Sequence, residues 1–228
     1  MVLSKYLVFG SSGALGAAIV SKLRDEGSLV VETTRSFSEN GKLNTEELEW
    51  PTVAKRLGDF DGIVWAQGIN MSDTILSAEI PSTRLALETN VIYIMETLQK
   101  LVSSNALNNP CRTVVLSSIW QESSRSSKFS YSVSKSAIHG LVQSAAIDLA
   151  DSGIAINAVL PGIIDTPMTR ANLSQAQIDS VEHRTLGGKL ATAGNVAETV
   201  AWLLSDRSAG VNGAAIKVDH GWSINSGL

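Results

Sequence analysis

Short apolar runs alternate with longer amphipathic ones along the chain, beginning with Tyr6 to Phe9, Leu15 to Glu26 and Leu29 to Thr33. A brief apolar run suits a strand buried on both faces, and a longer stretch with a single apolar stripe suits a helix. Further strand-like runs are Gly62 to Ala66, Thr113 to Ser117, Ala155 to Leu160 and Ala215 to Val218. Helical patterns span Ser82 to Val102, Tyr131 to Ala150 and Ala193 to Ser205. This βα alternation predicts an α/β fold, a doubly wound parallel sheet with helices on both faces, as a single domain over 1–228. Ser36 to Phe60 is the least regular stretch, with a turn at Ser38-Glu39-Asn40-Gly41 and an edge strand expected around Leu48 to Trp50. The serine-rich segment Ser123 to Ser130 falls between a strand and a helix and is expected as a loop at the carboxyl edge of the sheet.

Composition narrows the function classes. The 228 residues are 44% hydrophobic and 18% charged, which excludes disorder and coiled coil and permits one continuous core. Eighteen Lys and Arg against 22 Asp and Glu give a net charge of −4, so no basic stripe is available for nucleic acid. Cys111 is the single cysteine and can form no intramolecular disulfide, while His139, His183 and His220 are too scattered for metal-ligand spacing. The amino-terminal apolar run is too short for a signal segment, and no later run reaches membrane-spanning length. The expectation is a cytoplasmic protein with no metal, no nucleic-acid partner and no membrane span.

Chemistry concentrates in two places. Gly10-Ser11-Ser12-Gly13-Ala14-Leu15-Gly16 follows the first strand and opens the first helix. Glycines there let the backbone approach a pyrophosphate, whose charge is met by free N–H groups and the helix dipole. The second strand ends in Thr33-Thr34-Arg35, with Glu32 inside the strand rather than at its tip. A threonine and an arginine suit a 2′-phosphate, so NADP(H) is favoured and NAD(H) is the alternative. The second place is Tyr131-Ser132-Val133-Ser134-Lys135 at the start of a helix. Four residues apart is one helix face, so the ammonium of Lys135 can approach the Tyr131 phenol and lower its pKa. A hydroxyl from Ser117 or Ser118, at the end of the strand upstream, can polarise a carbonyl beside it.

These residues resemble the short-chain dehydrogenase/reductase family. Three more stretches share its pattern: Glu88-Thr89-Asn90-Val91, Leu160-Pro161-Gly162-Ile163-Ile164-Asp165-Thr166-Pro167, and Val218-Asp219-His220-Gly221. The resemblance implies that Tyr131 is the general acid/base, Lys135 lowers its pKa and holds the nicotinamide ribose, and Asn90 supports a water-linked proton relay. It selects Ser118 over Ser117 as the residue that positions the carbonyl. It also implies that Gly10, Ser11, Ser12, Gly13, Leu15, Gly16, Thr34, Arg35, Ala66 and Gly68 hold the dinucleotide together with Tyr131 and Lys135. Pro161, Gly162, Ile164 and Thr166 would contact the nicotinamide end, with Thr166 near the carboxamide, and a substrate lid is expected at about 166–190. The chain is similar to the 3-oxoacyl-acyl-carrier-protein reductase type. Small carbonyl or alcohol substrates and a homodimer or homotetramer are the implied partners.

The chain departs from the family pattern in several places. Ala14 stands where the second glycine is usual, so the Gly10, Gly13, Gly16 spacing is similar to that of extended relatives, which include epimerases and dehydratases with tightly held NAD. A non-catalytic nucleotide-binding regulator on the same fold is a further alternative. Trp65-Ala66-Gln67-Gly68 replaces the expected Asn-Asn-Ala-Gly, and His220 replaces a glycine.

Overall fold

A computed structural model describes residues 3–34, 43–44 and 59–225. Seven parallel strands form one sheet in the order β3-β2-β1-β4-β5-β6-β9. The strands are β1 (Lys5–Phe9), β2 (Leu29–Thr34), β3 (Leu43–Asn44), β4 (Phe60–Trp65), β5 (Leu107–Leu116), β6 (Ile154–Pro161) and β9 (Ala215–Val218). Strand parity divides the core. Leu7, Phe9, Ile63, Trp65, Val115, Ile156, Ala158 and Leu160 face one cluster, which is covered by α3 (Tyr93–Ser103) and α4 (Phe129–Asp148). Their neighbours Tyr6, Val8, Val64, Val114, Leu116 and Val159 face the other cluster, under α1 (Ala14–Asp25) and α7 (Ala193–Leu204). A period of two on strands buried on both sides explains why these runs read as continuously apolar.

Three differences from the sequence expectation have physical causes. The single helix expected over Ser82 to Val102 is broken into α2 (Ile80–Leu87), a π-helical turn at Glu88–Ile92, and α3. Thr89, Asn90 and Val91 are all buried, and three consecutive inward residues do not fit one stripe of a regular helix. Strand β5 starts at Leu107 rather than Thr113, through a register shift between Phe60 and Gly62 that the polar run Asn108 to Pro110 hid from the pattern. Two short strands, β7 (Ile164–Asp165) and β8 (Ala191–Thr192), pair in parallel and fasten both ends of an excursion carrying α5 (Pro167–Asn172) and α6 (Gln175–Arg184). Capping boxes start α6 at Ser174 with Gln177 and α7 at Thr192 with Asn195. The turn expected at 38–41, the edge strand around 48–50 and Arg35 lie outside the described residues.

Strand order reverses between β1 and β4, and the crevice at their carboxyl ends is where ligands bind in doubly wound sheets. Gly10 follows β1 and the segment Ala66 to Gly68 follows β4, so both open onto that crevice.

Candidate active site

A cleft of about 360 Å³ occupies the crevice and is lined by Phe9, Gly10, Ser12, Gly13, Thr33, Ala66, Gln67, Gly68, Ile69 and Tyr93. Gly10 has φ +74°, and a Cβ there would lie 2.5 Å from the Gln67 nitrogen. A Cβ on Gly16 would strike the Gly10 carbonyl oxygen. Both positions therefore require glycine, and they bring the backbone of β1 flush against the segment after β4. Helix α1 begins at Gly13 with no side-chain cap and no acidic residue in its first turn. Uncapped N–H groups under a positive dipole end are what a pyrophosphate needs.

The amide oxygen and nitrogen of Gln67 are both buried and have no hydrogen-bond partner, although the residue lines the cleft. An orphaned buried amide costs about 1–3 kcal/mol, which a ligand's hydrogen bonds would recover. These residues thus fit a dinucleotide. Gln67 was missed in the sequence; its signal was a long polar side chain where the resembling family has alanine.

The predicted cofactor residues divide by placement. Ser12 is exposed on the cleft, whereas Ser11 is buried and its hydroxyl donates to the Thr33 carbonyl at 3.4 Å. Leu15 packs part-buried against the α1/α7 cluster, and Thr34 ends β2. Glu32 pairs with Arg24 at 2.8 Å, so its carboxylate is directed towards α1. Pro161 is buried at the end of β6, and the Gly162 N–H donates to the Val218 carbonyl at 3.0 Å. Ile164 turns its side chain into the apolar cluster, while Thr166 caps α5 by accepting from the Thr169 N–H at 3.2 Å. Where the resembling family has asparagine, Trp65 stacks on Phe9 with centroids 5.8 Å apart and donates from Nε1 to the Thr97 hydroxyl at 2.8 Å.

Ser118, Tyr131, Lys135 and Asn90 come together beside this cleft. Ser118 follows β5, is buried, and is the hydrogen-bonding neighbour of the Tyr131 phenol; Ser117, also buried, has no partner for its hydroxyl. The Lys135 ammonium lies 5.8 Å from the centroid of the Tyr131 ring and donates to the Leu116 carbonyl at 2.9 Å. A Cβ on Gly68 would sit 3.2 Å from Asn90 Oδ1 and 3.6 Å from Lys135 Nζ, so both side chains reach the cleft wall.

Burial dominates the electrostatics. It raises the Tyr131 phenol above its ordinary value, with Ser118 opposing, and it pushes the Lys135 ammonium down to about 8. Asn90 is fully buried and its amide is committed. Oδ1 accepts from the Ile69 N–H at 2.8 Å, and Nδ2 donates to the Ile69 carbonyl at 3.0 Å and to the Ser134 hydroxyl at 2.9 Å.

Other conspicuous residues are settled by packing. Trp202 packs part-buried against the α1/α7 cluster, and His139 is exposed beside Gln121. Trp120 packs edge-to-face on Trp222 at 5.6 Å. His220 adopts φ +50°, the left-handed region that explains a glycine at this position in relatives. Among the described residues no helix is long and apolar enough to cross a membrane.

The doubly wound sheet and the glycine cradle at its switch point define an α/β fold of the dinucleotide-binding type. Comparison with known proteins agrees. The sequence profile described as enoyl-(acyl carrier protein) reductase matches residues 50–223. The chain is 26% identical to an uncharacterized oxidoreductase, YmfI, of Bacillus subtilis, over 95% of this chain and 97% of that one. It is 27% identical to the 3-oxoacyl-acyl-carrier-protein reductase FabG of Salmonella typhimurium, over 94% and 95%. A short chain dehydrogenase family protein from Francisella tularensis superposes with a TM-score of 0.83 at 27% identity, covering 98% and 100%. The chain belongs to the short-chain dehydrogenase/reductase family, whose members bind a nicotinamide cofactor.

Proposed function

We propose that the protein is an NADP(H)-dependent reductase of a carbonyl substrate, run in reverse as an alcohol dehydrogenase, with Tyr131 as general acid/base. The observation that carries this reading is the meeting of Ser118, Tyr131 and Lys135, with Lys135 reaching Gly68 in the wall of the cleft that Gly10 also lines. When bound, the nicotinamide dinucleotide supplies or takes up the hydride. Ser118 donates its hydroxyl proton to the substrate carbonyl oxygen as a hydrogen bond and orients it towards Tyr131. Tyr131, whose phenol burial raises above its ordinary value, gives its phenolic proton to the same oxygen. Reduction therefore falls as pH rises through the tyrosine's pKa, and alcohol oxidation rises. Lys135 holds the ribose hydroxyls and places positive charge beside the phenolate left behind. Asn90 serves by fixing the wall between Ile69 and Ser134.

The preference for NADP(H) is supported by the composition of the β2 tip. Thr34 and Arg35 present no carboxylate to repel a 2′-phosphate, and Glu32 is engaged with Arg24. The 3-oxoacyl-acyl-carrier-protein reductases among its relatives favour a β-keto acyl group as the substrate class. The stretch 166–190 acts as the substrate lid, and a homodimer or homotetramer is the expected assembly.

A panel of carbonyl substrates followed by NADPH absorbance tests the reading. Tyr131→Phe is expected to lower turnover by about 10²- to 10⁴-fold with NADPH affinity nearly unchanged; a near-normal rate in that variant would sink it. Titration of both cofactors checks the ribose end. Arg35→Ala should weaken NADPH by about one to two powers of ten and NADH far less.

A further inference from the structure

Lys128 precedes α4 and lies three residues before Tyr131, in the serine-rich stretch. It is 7% exposed, which is rare for a lysine without a specific partner. Its ammonium has three donors, and three acceptors meet them: Asn70 Oδ1 at 2.7 Å, the Met71 carbonyl at 3.3 Å and the Ser72 hydroxyl at 3.3 Å. The full set of acceptors marks the charged form as the one the site is built for. Next along the same loop, Asp73 takes the Ser130 N–H on its carboxylate at 2.9 Å and the Phe129 N–H on its carbonyl at 3.1 Å. Lys128 is the N-cap residue of α4 through its main chain alone, so helix capping does not explain the buried charge.

Two neighbours do. The loop at 70–72 continues directly from the cleft wall at Ala66 to Ile69, the wall that Asn90 clamps. The ammonium also lies 5.7 Å from the centroid of the Tyr131 ring, against 5.8 Å for Lys135, so two cations stand within cation–π range of one phenol.

We propose that Lys128 is a positioning residue for the reaction at Tyr131: it ties residues 70–72 to the first turn of α4 and holds a second positive charge against the phenol ring. The inference rests on the reading of Tyr131 as the acid/base. A positive charge on Lys128 favours the phenolate and opposes the effect of burial. Among the described residues, the charged groups that face this pair are Lys135 on α4, Arg125 from the loop before it and Asp73 from the loop after β4. Arg125 and burial bear on Lys128 in the direction that loses its proton, and Asp73 in the direction that keeps it.

The test is a titration of the three tyrosines, Tyr6, Tyr93 and Tyr131, by carbon-13 NMR at Cζ in the full chain without cofactor. The Tyr131 signal is assigned by its loss in Tyr131→Phe. Lys128→Met should raise the Tyr131 midpoint by on the order of one unit, given a charge at this separation and an effective dielectric between that of surface and interior. Lys128→Arg should leave it within a few tenths of a unit. The pH dependence of alcohol oxidation should move with it in the same direction. An unmoved midpoint in folded Lys128→Met would overturn the proposal. Should Lys128→Met fail to fold, Lys128→Gln decides by the same criterion, because its amide can still donate to Asn70 and Met71 but carries no charge. Retained turnover in Tyr131→Phe would instead refute the acid/base reading and leave the NMR shift to be judged separately.

Discussion

The two faces of the central sheet are made by alternate residues of the same strands, yet they are built from different chemistry. Under α1 and α7 the packing is aliphatic: Ile19, Val20, Leu23, Val196, Val200, Leu203 and Leu204 close on Val8, Val64, Val114 and Val159. Under the π-helical turn and α4 the interior also admits Asn90, Ser130, Ser132, Ser134, Lys135 and Lys128, all at 7% exposure or less. Buried polar groups are stable only when partnered, and here their partners are the Ile69 and Leu116 main chain, the loop at 70–72, the Thr83 and Ser124 hydroxyls and, for Asn90 and Ser134, each other. The difference teaches that one face supplies rigidity alone, while the other uses its polar interior to fix the reacting groups.

Substitutions on the two faces should therefore separate stability from turnover. On the aliphatic face, Leu203→Ala should lower unfolding free energy by about 2–5 kcal/mol in urea titrations while the rate per folded molecule stays within about twofold of wild type. A lost rate in the folded fraction would break the division. On the polar face, Ser118→Ala should retain its melting temperature and lose about 10²- to 10³-fold in turnover, the cost of one oxyanion-stabilising donor. Ser117→Ala should be nearly silent, since its hydroxyl has no partner to lose. The reverse ranking would mean that the neighbouring serine positions the carbonyl.

Asn90→Ala should lower both quantities. It removes three hydrogen bonds and strands the Ile69 N–H and carbonyl, for about 2–3 kcal/mol of stability, and turnover falls as the wall loosens. Intact stability together with lost turnover would return Asn90 to a direct relay role.

The smallest effect is the most diagnostic of a functional charge. Lys135 is pushed down to about 8 in the folded protein from 10.5, so the unfolded chain binds the extra proton between those values. Stability then rises with pH across that window, and below pH 8 the full cost of burying the ammonium is present. Lys135→Met should consequently be as stable as wild type or more so at pH 7, by at most about 3 kcal/mol, with its lead shrinking towards pH 10. A stability difference that is flat with pH would contradict the burial of a charged lysine.

Much of the aliphatic face was legible in the sequence, because strands buried on both sides and an amphipathic α1 leave periodic signals that need no tertiary knowledge. The extents of β1 and β9 and the place of α7 follow from that pattern. The polar face was legible only where spacing along one element sufficed, as for Tyr131 and Lys135. Its remaining members depend on contacts between distant segments. Lys128 meets Asn70 across 58 positions, and within a serine-rich run it reads as a solvated loop residue. The π-helical turn at Glu88–Ile92 was hidden because the main chain of Ile69, with which its inward Asn90 pairs, lies 21 positions away. Gln67 carried a weak sign in its length, but the orphaned burial of its amide belongs to the folded cleft.

The most direct measurement follows deuterium from NADPH carrying two deuterium atoms at the nicotinamide C4 during reduction of a carbonyl substrate, with mass analysis of the alcohol. One NADPH should be oxidised per alcohol formed, with one deuterium on the carbinol carbon, and Tyr131→Phe should lose this transfer while still binding the cofactor. Product formed without net consumption of NADPH, or without the label, would contradict an oxidoreductase that moves hydride between cofactor and carbonyl.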